Sequence, residues 1–272
     1  MSQWSDGEIL AHGVNLHYYR TGGAHPPVLL LHGFTDSGLC WTPVAQALAS
    51  DYDVIMFDAR GHGRSGAAAN GFTTELLVAD ALAVIQELKL EQVALLGHSM
   101  GAHTAAHVTK KHPELVRALL LEDPPWRGTQ LPELTQDDIN GLKQWESHLR
   151  IVQQQSLAER IEDASEYNPR WSQAEIQPWA EAQGQFRLEV FSQGLARVTQ
   201  EWQVLMPQLS NPTLLITGDP DRGAIVTSEI AQQALATWDN GTLAHIDGAG
   251  HSIRRDQYEP FITAVRQFLK EK

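Results

Sequence analysis

Short apolar runs alternate with helical patterns along most of the chain. The runs are rich in Val, Leu and Ile. They predict strands at residues 8–10 with 15–19, 27–31, 53–57, 92–96, 117–121, 213–217 and 242–246. The spacing of apolar residues between them predicts helices over residues 41–50, 74–88, 100–111, 227–237 and 256–270. This alternation is typical of a mostly parallel sheet with helices on both faces.

The pattern changes between about residues 127 and 207. This stretch is polar, Gln-rich and helical in spacing, and it contains no convincing strand. Since 272 residues suffice for one large α/β core but not for two ordinary enzyme domains, we expect a single sheet with an insertion. Residues 1–126 and 208–272 are predicted to form the core, and residues 127–207 a helical cap.

Composition excludes several classes of partner. The formal charge of −13 argues against nucleic acid and anionic membranes, because both require clustered Lys and Arg. The single cysteine, Cys40, cannot form an intramolecular disulfide, and no Cys-x-x-Cys pair is present to hold zinc. The N-terminal residues lack a signal-peptide pattern, and no window is apolar enough for a membrane span. We expect a cytoplasmic monomer or homodimer without a metal.

A Gly-x-Ser-x-Gly sequence, Gly97-His98-Ser99-Met100-Gly101, lies directly after one predicted strand and directly before a helix. A strand that turns abruptly into a helix strains the residue at the turn, and flanking glycines remove Cβ atoms that would collide with neighbouring backbone. The serine then projects beyond the sheet edge, where the helix N-terminus favours developing negative charge. Ser99 is the predicted nucleophile.

A serine hydroxyl needs a base to remove its proton. Of the 12 histidines, His251 stands out because it occupies a Gly-Ala-Gly-His loop directly after the last predicted strand. Loops at the carboxyl ends of parallel strands converge on one edge of the sheet. His251 is therefore expected to reach Ser99.

Three aspartates are candidates for the carboxylate that orients His251. Asp219 and Asp221 lie in the loop after the penultimate strand, and Asp123 follows the strand at 117–121. Asp221 is favoured over Asp219, because the proline between them holds Asp219 in an extended turn position. Asp123 stays open, since an acid there would also lie on the functional edge.

Acyl transfer produces an oxyanion that needs preorganised N–H donors. One donor is expected from Met100, the residue after the nucleophile. The second is expected from Phe34, in the His-Gly-Phe loop after the strand at 27–31. The insertion should lie over Ser99, so we expect a substrate pocket lined by Leu39, Trp126, Trp145, Trp171, Trp179 and Ile225.

Five motifs in this order resemble those of the α/β-hydrolase superfamily, in particular its cap-bearing esterases, lactonases, carbon–carbon bond hydrolases and epoxide hydrolases. They are His-Gly-Phe at 32–34, Asp-Ala-Arg-Gly-His-Gly-Arg-Ser at 58–65, Gly-His-Ser-Met-Gly at 97–101, Gly-Asp-Pro-Asp at 218–221 and Gly-Ala-Gly-His at 248–251. The resemblance implies an eight-stranded, mostly parallel sheet, a cap that shapes the pocket, and a mainly structural role for the loop at 58–65.

The predicted function is hydrolysis of a small apolar carboxylic ester or lactone through an acyl-enzyme, without a cofactor. Epoxide hydrolases of this superfamily use an aspartate as the nucleophile, so Ser99 argues against that activity. Two alternatives remain open. One is a hydrolase-fold ligand receptor with slow turnover, and the other is a carbon–carbon bond hydrolase, which the sequence after His-Gly makes a less good match.

Overall fold

An eight-stranded sheet forms the centre of the molecule. The computed structural model describes residues 4–68, 71–126, 135–193 and 202–272. The strands are β1 Ser5–Ala11, β2 Val14–Arg20, β3 Pro27–Leu31, β4 Asp53–Phe57, β5 Val93–His98, β6 Val116–Glu122, β7 Thr213–Thr217 and β8 Gly241–His245. Their spatial order is β1-β2-β4-β3-β5-β6-β7-β8. The strands from β4 to β8 in this order pair in parallel, while β1 and β2 form an antiparallel hairpin whose second strand pairs antiparallel with β4.

Ten α-helices connect and cover these strands in the described part of the chain. They are α1 Thr42–Leu48, α2 Thr74–Glu87, α3 Met100–Lys111, α4 Gln136–Val152, α5 Leu157–Tyr167, α6 Gln173–Gln185, α7 Trp202–Leu205, α8 Ser228–Ala236, α9 Ile253–Asp256 and α10 Tyr258–Glu271. Helices α4, α5 and α6 lie between β6 and β7 in the chain, where the sequence predicts an insertion. Both proposed boundaries of a separate cap, near residues 127 and 207, stay predictions; the first lies outside the described residues.

The strands are apolar on both sides because helices cover both faces of the sheet. On β3, Leu29 and Leu31 belong to a core cluster with residues of α2 and α3, while Val28 and Leu30 belong to a second cluster with residues of α1 and α10. This alternation explains the continuous apolar runs in the sequence. The expected eight-stranded, mostly parallel sheet with helices on both faces is confirmed.

Two local features differ from the sequence expectation. The C-terminal helix predicted over residues 256–270 is α10 and begins at Tyr258; the short helix α9 precedes it, and Gln257, with φ −142° and ψ 70°, separates the two. The helix predicted from residue 41 begins at Thr42 and is preceded by a 3₁₀ turn, Gly38–Trp41. In that turn Cys40 is fully buried, and burial raises the pKa of its thiol to about 12.

No helix within the described ranges is long and apolar enough to cross a membrane.

Candidate active site

Ser99 occupies the sharp turn between β5 and α3. Its backbone has φ 51° and ψ −114°, a strained conformation for a residue other than glycine. The turn is possible only with small neighbours: a Cβ atom on Gly97 would lie 2.3 Å from the carbonyl oxygen of Gly101, and a Cβ atom on Gly101 would lie 2.0 Å from that of Leu31. The Gly-x-Ser-x-Gly spacing therefore lets α3 pack directly against the sheet and leaves Ser99 at its edge.

His251 follows β8 and binds Asp123. The distance between His251 Nδ1 and Asp123 Oδ2 is 2.6 Å. Asp123 is fully buried, and it also accepts hydrogen bonds from the backbone N–H groups of Ile225 and Val226, at 2.8 and 2.9 Å. With Nδ1–H donated to the carboxylate, the free electron pair of the imidazole lies on Nε2.

Hydrogen bonds join the segments that carry the three candidate catalytic residues. The N–H of Ser99 donates to the carbonyl of Glu122, the residue before Asp123, over 3.0 Å. The side chain of His98, the residue before Ser99, lies 2.9 Å through Nε2 from the carbonyl oxygen of His251. A carbonyl can only accept, so His98 donates through Nε2. The nucleophile, base and acid loops therefore meet at one edge of the sheet.

The expectation that Asp221 orients His251 is corrected by this geometry. Asp221 lies exposed in a 3₁₀ turn, Pro220–Arg222. Asp219 binds the N–H of Gly248 at 2.7 Å and lies 3.1 Å from His245 Nε2. The loop after β7 supplies the backbone N–H groups of Ile225 and Val226, which bind Asp123. The carboxylate that binds His251 is that of Asp123, at the end of the neighbouring strand β6.

The two predicted oxyanion donors lie in segments next to the turn at Ser99. Met100 is the first residue of α3, where N–H groups lack acceptors within the helix. The loop that carries Phe34 approaches the turn closely, because a Cβ atom on Gly33 would lie 2.6 Å from His98 Nδ1. In the same loop His32 has a packing role, with Nε2 accepting from Ala59 N–H and Nδ1 lying 2.8 Å from the Gly33 carbonyl.

An aromatic cluster surrounds the side chain of Phe34. Its ring lies 5.0 to 6.0 Å, between centroids, from five other rings. They belong to His62, Phe72, Trp145, Phe186 and Phe191. Trp145 is on α4, and Phe186 and Phe191 follow α6, so the inserted helices supply half of the cluster. Burial lowers the pKa of His62 to about 3, so every ring of the cluster is uncharged at neutral pH.

Of the six residues predicted to line the pocket, Trp145 contacts Phe34, and Ile225 donates its N–H to Asp123. Trp126 is only 2% exposed and stacks on Trp202 in the core, which corrects its assignment to the pocket. Three others lie elsewhere. Trp171 donates to Asp256 and packs edge-on against Trp179, and Leu39 packs on the core beneath α1.

The aromatic cluster also contains residues that the sequence prediction missed. Phe72, Phe186 and Phe191 lack a helical or strand periodicity that would have pointed to Phe34. The sequence does hold a signal for the acid, because Glu122 and Asp123 are two consecutive carboxylates directly after the apolar run at 118–121. Charged residues that follow a buried strand at the carboxyl edge of a parallel sheet indicate a functional site.

One group of potential metal ligands occurs among the described residues, at some distance in sequence from Asp123. Asp219, His245 and Asp247 have ligand atoms within 4.8 Å of one another. Asp247 is 97% exposed, and Asp219 already binds the N–H of Gly248. Exposed acidic groups of this kind are common without a metal, so the group carries no assignment.

Comparison with known proteins agrees with this class of fold and site. The sequence profile of the alpha/beta hydrolase fold family matches residues 26–254, and the chain belongs to that family. It is 25% identical to the N-formylmaleamate deformylase of Pseudomonas putida, over 97% of this chain and 96% of that protein. It is 27% identical to the (E)-2-((N-methylformamido)methylene)succinate hydrolase of Acinetobacter baylyi, over 96% of each chain.

A solved structure extends the comparison. The crystal structure of the N-formylmaleamic acid deformylase of Pseudomonas putida S16 superposes with a TM-score of 0.79. It shares 26% identity with this chain and covers 96% of it and 100% of that protein. These relatives are hydrolases, and the fold and the relatives together support an enzyme of the hydrolase class.

Proposed function

We propose that this protein is a serine hydrolase that cleaves a carboxylic ester or lactone through an acyl-enzyme on Ser99. His251 acts as general base and acid, and Asp123 orients it. The observation that carries the proposal is the 2.6 Å contact between His251 Nδ1 and Asp123 Oδ2 beside the strained turn at Ser99. A strained nucleophile turn, a histidine and a buried carboxylate in neighbouring loops are the components of a hydrolytic triad.

The first half-reaction forms the acyl-enzyme. Ser99 Oγ attacks the substrate carbonyl carbon while its proton passes to His251 Nε2. The tetrahedral oxyanion accepts hydrogen bonds from the N–H groups of Phe34 and Met100. When the intermediate collapses, the carbon–oxygen bond of the ester breaks and the alcohol leaves with the proton from Nε2. Asp123 stays ionised and stabilises the imidazolium.

The second half-reaction returns the free enzyme. Water attacks the acyl carbon and gives one proton to His251 Nε2, which then passes it to Ser99 Oγ as the carboxylic acid departs. In a lactone the alcohol and the acid belong to one molecule, so the product is a single hydroxy acid. The same residues act in both cases.

The aromatic cluster around Phe34 suggests where the substrate's apolar group lies. Phe34 carries one proposed oxyanion donor, and its ring packs against Trp145 of α4. Since the rings of the cluster are uncharged, we assign this side of the site to an apolar acyl group. The inserted helices then act as the predicted cap, which excludes water and strengthens the oxyanion hydrogen bonds.

Turnover of p-nitrophenyl esters from acetate to octanoate tests the proposal. We expect multiple turnovers by the wild-type protein and a loss on the order of 10⁶ in kcat for Ser99→Ala. A p-nitrophenolate burst followed by negligible steady-state turnover would instead support a ligand receptor. Circular dichroism and thermal melting of Ser99→Ala control for folding. Undiminished turnover by a pure, folded Ser99→Ala protein would refute the role of Ser99.

Hydrolysis of an amide is the second candidate, and the comparisons favour it. The N-formylmaleamate deformylase and the (E)-2-((N-methylformamido)methylene)succinate hydrolase carry the names of amide substrates with acidic groups. The same triad can protonate an amine leaving group through His251. p-Nitroanilides matched in acyl group to the p-nitrophenyl esters, together with N-formyl amides, distinguish the two. Faster kcat/KM on the amides would transfer the proposal to that class.

A further inference from the structure

The guanidinium of Arg254 lies at the centre of a buried group of charges behind the triad. The side chain of Arg254 is fully buried. Its Nη1 donates to Glu122 Oε2 at 3.0 Å, and its Nη2 donates to Asp36 Oδ2 at 3.1 Å. The backbone N–H of Arg254 also donates to Glu122 Oε1, at 2.9 Å. Both carboxylates are buried as well.

Each partner of Arg254 belongs to a different catalytic loop. Glu122 directly precedes Asp123, and its carbonyl oxygen accepts from Ser99 N–H. Asp36 lies in the loop of Phe34 and closes a turn by donating its N–H to the Gly33 carbonyl. Arg254 itself comes three residues after His251. One guanidinium therefore joins the base loop to the acid strand and to the oxyanion loop.

Two consecutive carboxylates hold two residues of the same short segment. Asp123 binds His251, and Glu122 binds Arg254 through both its backbone and its side chain. A single contact would leave the segment free to rotate about it, whereas two contacts on neighbouring side chains fix both position and orientation. The orientation of the His251 ring relative to Ser99 thus depends both on the contact of Asp123 with His251 and on the contacts of Glu122 with Arg254.

The surroundings preserve this arrangement. The guanidinium stacks on the ring of Trp41, with its carbon 4.1 Å from the ring centroid. Burial by itself raises the pKa of Asp36, but Arg255 and Arg254 outweigh it and hold the pKa below its usual value. Burial lowers the pKa of His98 well below its usual value, so this neighbour is neutral and adds no positive charge.

We propose that Arg254 is a positioning residue, which sets the orientation of His251 relative to Ser99 and the oxyanion loop by binding Glu122 and Asp36 together. This inference rests on the proposed function. An arginine can fill this role because the N–H groups of its planar guanidinium bind two carboxylates at fixed angles. Lysine retains the charge but is a point donor, so it cannot reproduce both contacts in the same geometry.

Arg254→Lys and Arg60→Lys form a matched pair for the test. Arg60 is equally buried and binds Asp80 through Nε and Nη2 at 2.6 and 2.7 Å, but Asp80 lies on α2 and not in one of the loops that Arg254 joins. Both substitutions should lower the melting temperature, because each weakens a buried ion pair. Only Arg254→Lys should lower kcat, by about 30-fold with KM within about twofold, since a misdirected base affects the transition state more than binding.

Glu122→Gln provides the same test without altering Arg254. The substitution keeps the shape of the side chain but replaces one carboxylate oxygen by an NH2 group. This group is a hydrogen-bond donor and cannot accept from the N–H groups of Arg254. We expect about a tenfold loss of kcat at constant KM, and a parallel fall in the rate of Ser99 modification by a fluorophosphonate. Asp80→Asn is the corresponding control and should leave kcat within about twofold of wild type.

The inference is overturned if Glu122→Gln and Arg254→Lys keep wild-type kcat, or if the two controls lose as much kcat as the variants. If Arg254→Lys does not fold, the comparison of Glu122→Gln with Asp80→Asn decides whether the inference holds. Wild-type turnover that Ser99→Ala abolishes shows that the proposed function holds even when the positioning role fails. Wild-type protein that neither turns over substrate nor reacts with the fluorophosphonate overturns both.

Discussion

Asp123 combines a strained backbone with a fully buried carboxylate. Its φ is 38°, in the left-handed region that residues with a side chain seldom adopt. The carboxylate is nevertheless well supported, because Ile225 N–H, Val226 N–H and His251 Nδ1 all bind it. Strain that is held by several contacts at one residue is typical of functional sites. The strained backbone turns the side chain from the strand towards His251.

Replacing Asp123 or Asp221 by asparagine tests which of the two aspartates orients His251. Asp123→Asn should reduce kcat by about 10⁴, because an amide at this position favours the wrong tautomer of His251. Asp221→Asn should change kcat by less than about twofold, since Asp221 is an exposed turn residue. Steady-state turnover of a p-nitrophenyl ester measures both. The reverse pattern would place the acid in the loop after β7 and refute the assignment to Asp123.

At the scale of elements, the inserted helices contact the site through particular side chains. Gln183 of α6 donates to the carbonyl of Thr35, in the oxyanion loop, at 3.0 Å. Glu175, also on α6, pairs with Arg255, which in turn pairs with Asp36 of the same loop. Trp145 of α4 packs on Phe34. These contacts tie the position of the insertion to the geometry of the oxyanion loop.

Trp145→Ala should change the preference among acyl chains. Trp145 is 40% exposed and meets Phe34 on the side of the site that we assign to the acyl group. Its loss should alter the ratio of kcat/KM for p-nitrophenyl octanoate over acetate by about tenfold. Trp126→Ala is the control, because Trp126 is a core residue: it should cost about 3–5 kcal/mol of unfolding free energy and leave the ratio unchanged.

An unchanged ratio for Trp145→Ala would show that the aromatic cluster is packing alone. A changed ratio for Trp126→Ala would show instead that the core beneath the insertion controls specificity. Thermal melting of both proteins separates these outcomes from general loss of structure.

The fold of the whole molecule follows from a pattern that the sequence displays directly. Parallel strands buried on both faces must be apolar at nearly every position, so β3, β4 and β5 are visible as continuous runs. The turn at Ser99 is equally visible, because both of its glycines are required by close backbone: Gly97 by Gly101 within the turn, and Gly101 by the end of the neighbouring strand β3.

The acid and the pocket depend on contacts between distant parts of the chain. Asp123 and His251 are 128 residues apart, and the choice between Asp123 and Asp221 depends on which loop turns inward. That choice is decided by the N–H groups of Ile225 and Val226, which no periodicity reveals. The same holds for Arg254, whose partners Glu122 and Asp36 come from two other loops.

Peptide mapping by mass spectrometry after reaction with a fluorophosphonate, carried out on wild type and on Asp123→Asn, tests whether Ser99 is a nucleophile activated by His251 and Asp123. We expect one adduct per chain in the wild type, on Ser99, and a rate of formation lower by at least about 10²-fold in Asp123→Asn. An adduct on another residue, or equal rates in the two proteins, would contradict it.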